Sequence, residues 1–247
     1  MSIIKDKHEI EKMRKVGKIL ATIAGVLQKY VRPGMKTLEL DVFAKKQFDE
    51  QGVVSAFKGY RGFPAHICTS VNEEVVHGIP GERVLREGDI VSIDMGITSE
   101  GYYVDMAFTQ PVGTITAETK KYLAITKRAL ATGIKQARIG NRISDISHAI
   151  QHYAENNGLS VVRDFVGHGI GKNLHEEPQI PNFGKPHEGL LIEEGMVFAI
   201  EPMLNMGTWE VDILGNGWTA VTRDSKLSFH CEHTVAVLKE GPQILTQ

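Results

Sequence analysis

Hydrophobic residues recur every three or four positions in four long segments of the chain, the spacing that places them on one face of an α-helix. A glycine that suits the residue after a helix, Gly52 or Gly158, closes the second and fourth segments. Thr37 and Ser144 are predicted to be N-caps because their hydroxyl groups suit that position. The four predicted helices cover residues 7–31, 37–50, 116–136 and 144–156.

The second pair of predicted helices repeats the first pair at an almost constant distance along the chain. Gly34 recurs as Gly140, an offset of 106 residues, and a nearby arginine and the closing glycine of each pair share this offset. Because helix–turn–helix segments that end in glycine are common, this match alone is compatible with chance. A second match favours duplication: residues 85–94 align with 192–201 at an offset of 107, and each run is an apolar strand after a Glu-Gly turn.

A duplicated chain of this kind predicts an α+β fold of two related halves, with a central antiparallel sheet, outer helices and pseudo-two-fold symmetry. We expect residues 1–247 to form a single domain whose halves are about 1–113 and 114–247. The repeated strands end on Asp94 and Glu201, so these two carboxylates are predicted to face each other across the axis.

The run 90–108 predicts a β-hairpin. With Ser99 and Glu100 as a two-residue loop, residues whose numbers sum to about 199 would be paired, and Asp94 would lie opposite Asp105. Like charges at paired positions destabilise a sheet, and aspartate is a poor strand former. The pair therefore predicts a bound cation, and a different register with both carboxylates in solvent is the alternative.

Three further residues have side chains that bind metals. His168 lies in Gly-His-Gly-Ile-Gly, where the lack of neighbouring side chains would expose the imidazole to a site. Glu201 ends one apolar strand and Glu232 interrupts another, positions where an unpaired carboxylate is costly. Taken singly, His168 also fits a structural histidine, and each glutamate fits a salt bridge. Together with Asp94 and Asp105, they predict a site for two divalent ions.

Composition and charge exclude several other functions. The net charge of −2 gives no electrostatic reason to expect nucleic acid or an anionic membrane as a partner. No apolar run approaches the length of a membrane span. Two cysteines, Cys68 and Cys231, cannot form a disulfide framework and fit a reducing compartment. Because residues 1–11 are charged and lack a secretory hydrophobic region, we expect a cytoplasmic protein.

Other catalytic motifs are missing or wrongly spaced. The run that begins at His175 is not H-E-x-x-H, and Pro178 would break the helix which that motif needs. The chain has neither a G-x-S-x-G elbow nor a phosphate-binding G-x-x-x-x-G-K-[ST] loop. Cys68 lacks the sequence signature of a nucleophile.

Several short motifs are spread along the chain. They are Asn72-Glu73 with Val76-His77-Gly78-Ile79-Pro80, Asp94-Met95-Gly96 with Gly101-Tyr102 and Asp105-Met106-Ala107-Phe108-Thr109, Gly167-His168-Gly169-Ile170-Gly171 with Leu174-His175-Glu176-Glu177-Pro178, Glu201-Pro202, and Asn216-Gly217-Trp218 with Glu232-His233-Thr234. Taken together, these motifs resemble those of the type I methionine aminopeptidases over essentially the full length of the chain. The resemblance implies a duplicated "pita-bread" fold and the removal of the initiator methionine from new polypeptides. The short N-terminus resembles the bacterial form, and the insertion typical of type II enzymes is missing.

The resemblance also assigns roles to individual residues. It implies that Glu201, His77 and His175 are catalytic, although His77 also fits a turn-capping residue beside Pro80. Phe57, Leu174 and Phe183 stand where relatives often carry other residues, which affects the expected shape of the pocket. The implied metal ligands are Asp94, Asp105, His168, Glu201 and Glu232, and the implied substrate-binding residues are Phe57, Tyr60, Phe63, Cys68, His77, Leu174, His175 and Trp218.

The implied activity is hydrolysis of an N-terminal methionine before a small second residue, by a hydroxide shared between two divalent ions. These ions would be cobalt, manganese, iron or zinc, since availability rather than affinity decides among them. The expected partners are N-terminal methionine peptides and nascent polypeptides near the ribosome, and the expected state is a monomer.

Two alternatives stay open. A proline-directed peptidase of the same fold usually carries an extra N-terminal domain, and a non-catalytic binding module generally loses metal ligands.

Overall fold

A computed structural model describes residues 3–247, so Met1 and Ser2, the start of the segment predicted to lack a secretory signal, lie outside the described residues. All four predicted helices are present, and each begins and ends within two residues of its predicted bounds. The helices are α1 (Lys7–Tyr30), α2 (Thr37–Gln51), α3 (Ala117–Ile134) and α4 (Ile143–Asn156).

Five strands and one 3₁₀ turn (Tyr60–Gly62) belong to the first half, within the described residues. Ten strands belong to the second half. The strands are β1 (Val54–Ser55), β2 (Cys68–Val71), β3 (Glu74–Val76), β4 (Ile90–Ser99), β5 (Tyr102–Pro111), β6 (Ser160–Val161), β7 (Gly167–Gly169), β8 (Glu176–Ile180), β9 (Val197–Ile200), β10 (Met203–Asn205), β11 (Val211–Ile213), β12 (Ala220–Thr222), β13 (Ser228–His230), β14 (His233–Leu238) and β15 (Gly241–Ile244).

The strands form two larger and two smaller sheets, and every strand pair is antiparallel. In the first larger sheet, β4 pairs with β5 on one side and with β1 and β2 on the other. The second larger sheet has the order β15-β14-β9-β7-β8. The smaller sheets are β13-β10-β6 and β11-β12-β3. The predicted α+β architecture is therefore confirmed, with the central sheet divided into two parts.

Equivalent backbone hydrogen bonds show that the two halves are built alike. Gly34 N donates to Leu85 O at 2.8 Å, and Gly140 N donates to Ile192 O at 3.1 Å. In each half this bond ties the turn between two helices to the segment that leads into a central strand. The offsets between the bonded residues are those of the sequence repeat, so the geometry supports the predicted pseudo-two-fold relation.

The helices cover the outer faces of the two larger sheets. In the first half, Met13 of α1 is fully buried and packs in one core with Ile93 of β4. In the second half, Ile150 of α4 packs in a separate core with Phe198 of β9. Each helix pair therefore stabilises its own sheet by burying apolar surface. Between residues 3 and 247, no helix is long and apolar enough to cross a membrane.

The predicted N-caps are wrong. Helices α2 and α4 are capped at Lys36 and Arg142, whose backbone N–H groups each donate to an acidic side chain three residues later. Thr37 and Ser144 lie inside the first turn, and their hydroxyl groups bond to other loops instead. Thr37 Oγ1 accepts from Gly81 N at 2.9 Å. The hydroxyl groups therefore link each helix to the loop beside it.

The predicted hairpin is present, but its register is shifted by two residues. Asp94 pairs with Ala107 rather than with Asp105. The loop consists of Glu100 and Gly101, which both have positive φ (52° and 79°), as a type I′ turn requires and as glycine favours. Since the shift is an even number of residues, both aspartates still point to the same face of the sheet. They are diagonal neighbours, within reach of one shared ion.

The halves meet along a seam formed by residues 105–109 of β5 and by residues 230–234, which lie beside β5 in the second half. Thr234 joins the two segments with its hydroxyl group. It accepts a hydrogen bond from Asp105 N at 2.9 Å and donates one to Asp105 O at 2.8 Å. Thr234 is fully buried, so both backbone groups of Asp105 depend on this side chain.

A second threonine holds the other end of the seam in the same way. Thr109 Oγ1 accepts from His230 N at 3.0 Å and donates to His230 O at 2.9 Å. Between the two threonines, Glu232 N donates directly to Ala107 O at 2.8 Å. The seam therefore fixes the backbone that carries two of the predicted metal ligands, one from each half.

We predict that Thr234→Val destabilises the protein more than Thr234→Ser. Valine keeps the side-chain volume but leaves two buried backbone groups of Asp105 without partners, at a cost of about 1–3 kcal/mol each. Serine keeps both hydrogen bonds and loses one methyl group. Thermal unfolding of the metal-free variants should show a lower Tm for valine, by roughly 2–4 °C per kcal/mol. A valine variant as stable as the wild type would contradict the role of the seam.

Candidate metal site and adjoining cavity

The five predicted metal ligands converge on one cavity from both halves of the fold. Asp94 and Asp105 lie within β4 and β5, His168 lies in β7, and Glu201 directly follows β9. Glu232 lies on the seam between β13 and β14. All five side chains line the same cavity. The sequence repeat and the seam thus bring together residues that are up to 138 positions apart (232 minus 94).

Three of these residues are close enough to share one metal ion. Asp105, His168 and Glu232 are buried, and each offers one ligand atom within 4.8 Å of the others. Ligand atoms about 2.0–2.3 Å from one ion lie at most about 4.6 Å apart. His168 Nε2 is also 3.5 Å from Glu201 Oε1, which extends the cluster to a fourth residue.

Buried oxygen atoms of the site lack hydrogen-bond donors. Within residues 3–247, Asp94 Oδ1, Asp105 Oδ1 and Glu232 Oε1 are shielded from solvent and have no hydrogen-bond partner. Such atoms are costly because they have lost water without gaining a donor. Carboxylate oxygens and one imidazole nitrogen are ligands that divalent cations accept. The residues present therefore fit a metal site.

Burial raises the pKa of all four carboxyl groups, and repulsion between carboxylates raises the pKa of three of them further. Desolvation is the largest cause throughout, and it raises the pKa of Asp105 to about 7. The pKa values of Asp94, Glu201 and Glu232 lie well above their usual range, with the charges of neighbouring carboxylates as the next cause. A cation in the site would reverse this effect, because it favours the charged carboxylates.

His168 is held in the form that a metal requires. Its Nδ1 lies 2.8 Å from Gly169 O, so Nδ1 carries the proton and donates, and Nε2 is left as an acceptor facing the cluster. Burial lowers the pKa of His168 to about 4, so the imidazole is neutral at physiological pH. A neutral ring with a free Nε2 is suited to bind a cation.

The His168 imidazole lines the cavity, as the sequence predicted, although it is buried from bulk solvent. The glycines on either side of it also allow close packing. A Cβ on Gly167 would lie 2.4 Å from Ala199 O of β9, and one on Gly169 would lie 2.2 Å from Glu177 O of β8. These glycines therefore let β7 fit between two strands, a role that the sequence analysis did not predict.

An apolar wall with several rings adjoins the ligand cluster. The rings of Phe63 and Trp218 meet edge to face, with centroids 5.1 Å apart, and Phe57 lies 6.5 Å from Phe63. The whole cavity encloses about 670 Å³, part of which is open to solvent. All eight predicted substrate-binding residues line it, namely Phe57, Tyr60, Phe63, Cys68, His77, Leu174, His175 and Trp218.

Two further histidines stand beside the cluster. His175 Nδ1 lies 2.7 Å from the Tyr60 hydroxyl, and its ring centroid lies 4.2 Å from that of His168. The His175 ring is open to the cavity but surrounded by protein, and this partial burial, followed by repulsion from His168, lowers its pKa. Burial also lowers the pKa of His77, which packs edge to face against Phe165 at 5.3 Å. This packing favours a place in the site over turn capping.

The sequence analysis missed two residues at this site. His230 is buried, and its Nε2 lies 3.8 Å from Glu201 Oε2. It lies two residues before Glu232, so strand alternation was an available signal for a shared face. Arg61 lines the cavity, with its guanidinium 5.5 Å from the Tyr60 ring centroid. Its positive φ of 49° puts it there, and no sequence pattern predicts that conformation.

A second cavity lies beside the first, and the two cavities have His77, Asp94, His175 and Glu201 in common. Because they share these residues, the two cavities form one continuous site. The apolar wall lies at one end of the first cavity, and the second cavity branches from it. The remaining lining residues of the second cavity are Val76, Asp164, Phe165, Val166 and Met203.

Residues 11–239 match the model of metallopeptidase family M24. The chain belongs to this family. It is 52% identical over 246 residues to a methionine aminopeptidase of Clostridium perfringens, covering 100% of this chain and 99% of that protein. The family assignment places it among metal-dependent hydrolases and confirms the resemblance found in the sequence.

Two solved structures share this fold. The crystal structure of methionine aminopeptidase from Thermotoga maritima is 44% identical, with a TM-score of 0.97 over 99% of this chain and 98% of that chain. A prolidase from Pyrococcus furiosus is 21% identical, with a TM-score of 0.81 over 99% of this chain and 65% of that chain. The second likeness concerns the fold alone. The pita-bread architecture implied by the resemblance is thereby confirmed.

We predict that a divalent cation stabilises this M24 protein more at pH 7.5 than at pH 5.5. A raised folded-state pKa, such as about 7 for Asp105, means that the carboxyl group contributes stability below its unfolded pKa of about 4. That contribution is lost as pH rises through the folded pKa, and a cation restores it by replacing the protons. The rise in Tm on adding Mn²⁺ should therefore grow between these pH values.

Buried histidines act in the opposite sense, because a lowered folded-state pKa removes stability as pH falls. The readout is therefore the difference in Tm with and without Mn²⁺, measured at each pH, rather than absolute stability. His168 is neutral at both pH values, so it does not contribute to this difference. Equal differences at both pH values would contradict the coupling of proton release to metal binding.

Proposed function

We propose that this protein is a methionine aminopeptidase that removes the N-terminal methionine from peptides and nascent polypeptides whose second residue is small. The observation that carries the proposal is the adjacency of two features in one cavity. A cluster of five candidate metal ligands lies beside an apolar wall that includes Phe63, Cys68 and Trp218. Such a site combines a place for hydrolysis with a place for an uncharged, flexible side chain.

The ligand cluster is proposed to hold two divalent ions, which could be cobalt, manganese, iron or zinc. Four carboxylates supply four negative charges, which balance two such ions. When bound, the ions polarise the scissile carbonyl and lower the pKa of a water molecule. The residues proposed to hold them are Asp94, Asp105, His168, Glu201 and Glu232.

The apolar wall is proposed to bind the methionine side chain. An unbranched thioether adapts to an irregular cavity, and its sulfur gains from contact with ring edges. The T-shaped arrangement of Phe63 and Trp218 presents such edges. Phe57 and Leu174 are both buried, so they narrow the cavity with rigid apolar surface. We expect this wall to exclude branched side chains.

Glu201 and the two cavity histidines are proposed to handle protons and developing charge. Glu201 faces both cavities, so its carboxylate is placed to accept a proton from water and pass it to the leaving amine. With the Tyr60 hydroxyl donating to His175 Nδ1, the Nε2–H of His175 is the donor available to the peptide carbonyl. His77 lines the same cavities from the first half.

The second cavity is proposed to receive the residue after the scissile bond. Phe165 and Met203 line it together with His77, which belongs to both cavities. Because Met203 is fully buried and Phe165 packs against the His77 ring, this space offers little freedom to expand. A small second residue is therefore expected.

We further propose a single catalytic domain that acts as a monomer in the cytoplasm, on polypeptides near the ribosome. A proline-directed peptidase of the same fold is the closest rival, and a non-catalytic binding module is the other. The high identity to a methionine aminopeptidase, against 21% to a prolidase, supports the proposed activity. The retained ligand cluster argues against the binding module.

A panel of peptides tests the proposal. Met-Ala peptides should be cleaved best, norleucine should replace methionine with a loss of about 1–3 kcal/mol or less, and leucine should be much slower. Formyl-methionine peptides should be inert, because the ions are expected to bind the free amine. The measurement is kcat/KM for each peptide with Mn²⁺ present. Preference for Xaa-Pro peptides would favour the prolidase-type activity, and no cleavage with metal bound would favour the binding module.

We predict that alanine at His175 or His77 lowers kcat by roughly 10²–10³-fold, with a smaller change in KM. These imidazoles are proposed to act on the transition state rather than to hold metal. Bound metal should stay near the wild-type content. His168→Ala is the matched comparison, and it should lose part of the metal. Equal metal loss in all three variants would show that the roles are assigned to the wrong histidines.

A further inference from the structure

The N-terminal segment before α1 lies against the strands that surround the metal site. Lys5 N donates to Gly195 O at 2.8 Å, and Ile4 forms an antiparallel bridge with Met196. A Cβ on Gly195 would lie 2.5 Å from Lys5 O, so this close approach requires glycine there. The backbone of the segment is thus fixed at the entry to β9, the strand that leads to Glu201.

From this position the Lys5 side chain runs inward and forms a buried ion pair. Its Nζ lies 2.5 Å from Glu176 Oε2, and the two side chains are only 4% and 8% exposed. The methylene chain of Lys5 passes over Gly171, where a Cβ would come within 2.3 Å of Lys5 Cε. The last glycine of the Gly-His-Gly-Ile-Gly motif therefore makes room for Lys5.

Glu176 is the end of a short segment whose middle residues line the cavity. We call residues 171–176 the cavity segment, which includes Leu174 and His175. The other carboxylate oxygen of Glu176 accepts from Asn173 N at 3.0 Å. At the start of the segment, Lys172 Nζ lies 3.0 Å from Glu9 Oε1 of α1. Two ion pairs from the N-terminal region therefore hold the cavity segment at both ends.

We propose that Lys5 is a positioning residue for the hydrolytic reaction, which it affects by fixing the place of His175 through Glu176. A lysine and a glutamate are seldom buried without a reason, since taking two charges out of water costs several kcal/mol per ion. Apolar residues would fill this space with equal stability. An ion pair with a second hydrogen bond to the same carboxylate also fixes the orientation of the Glu176 side chain. The proposal rests on the proposed function, because it assigns a consequence to the position of His175.

The test compares Lys5→Met, Glu176→Gln and the double variant. Each single variant leaves one buried charge unpaired, so its Tm should fall by roughly 10 °C. The double variant has no buried charge, and its glutamine keeps the oxygen that accepts from Asn173 N. Its Tm should return to within about 4 °C of the wild type, and its bound Mn²⁺ should be unchanged.

The decisive measurement is made on the double variant with Mn²⁺ and a Met-Ala peptide. If the ion pair positions His175, kcat falls at least about tenfold although stability and bound metal are restored. Deuterium uptake by the backbone of the cavity segment also becomes faster. Wild-type kcat and wild-type uptake in the double variant would overturn the proposal, because the pair would then serve stability alone.

Two further variants keep the test open to refutation. Glu176→Asp retains both charges and shortens the link by one methylene, so kcat should fall less than in the double variant; a wild-type kcat here would also overturn the proposal. Lys45→Met is the matched control, since it removes a 2.5 Å ion pair on the exposed face of α2 and should leave kcat unchanged.

Failure of the proposed function is distinguishable from failure of this inference. If the wild type cleaves no methionine peptide, the proposed function is wrong, while deuterium uptake still reports on the cavity segment. Unchanged uptake in the double variant then overturns the positioning role of Lys5, and faster uptake supports it.

Discussion

Four carboxyl groups are buried together where the two halves of the fold meet, and the rest of the structure is arranged around this constraint. In the absence of a cation, burial and then repulsion from neighbouring carboxylates raise the pKa of Asp94, Glu201 and Glu232, so these groups retain protons. The seam keeps two of them, Asp105 and Glu232, in place by using backbone groups and threonine hydroxyls rather than opposite charges. The charges of the site are therefore left for an ion to neutralise, and this is the property a hydrolytic metal centre needs.

Much of this arrangement was predictable from the sequence because it depends on regular patterns. Helix positions follow from apolar periodicity, and the duplicated architecture follows from two matching offsets. Asp94 and Asp105 were correctly placed on one face, although the turn at Glu100 and Gly101 shifted their pairing. An error of two residues in the strand register leaves both side chains on the same face of the sheet. An error of one residue would have placed the two carboxylates on opposite faces.

Other features could not be predicted, because they depend on contacts between distant parts of the chain. Nothing near Lys5 indicates that its side chain is buried against Glu176, since a single lysine in a charged segment is usually exposed. Likewise, the need for glycine on either side of His168 becomes apparent only when the close approach of β8 and β9 is known. Such residues are required by packing in three dimensions, so no periodic pattern in the sequence indicates them.

The equivalent positions of Asp94 and Glu201 in the two halves have a consequence for the origin of the site. One half alone supplies two of the five candidate ligands, and the other supplies three, so neither forms the cluster by itself. A single-copy ancestor would have needed to associate as a symmetric pair, with the same carboxylate entering from both sides of the axis. Joining the two copies in one chain would free each to diverge, so that an asymmetric centre with a side-chain pocket on one flank could arise.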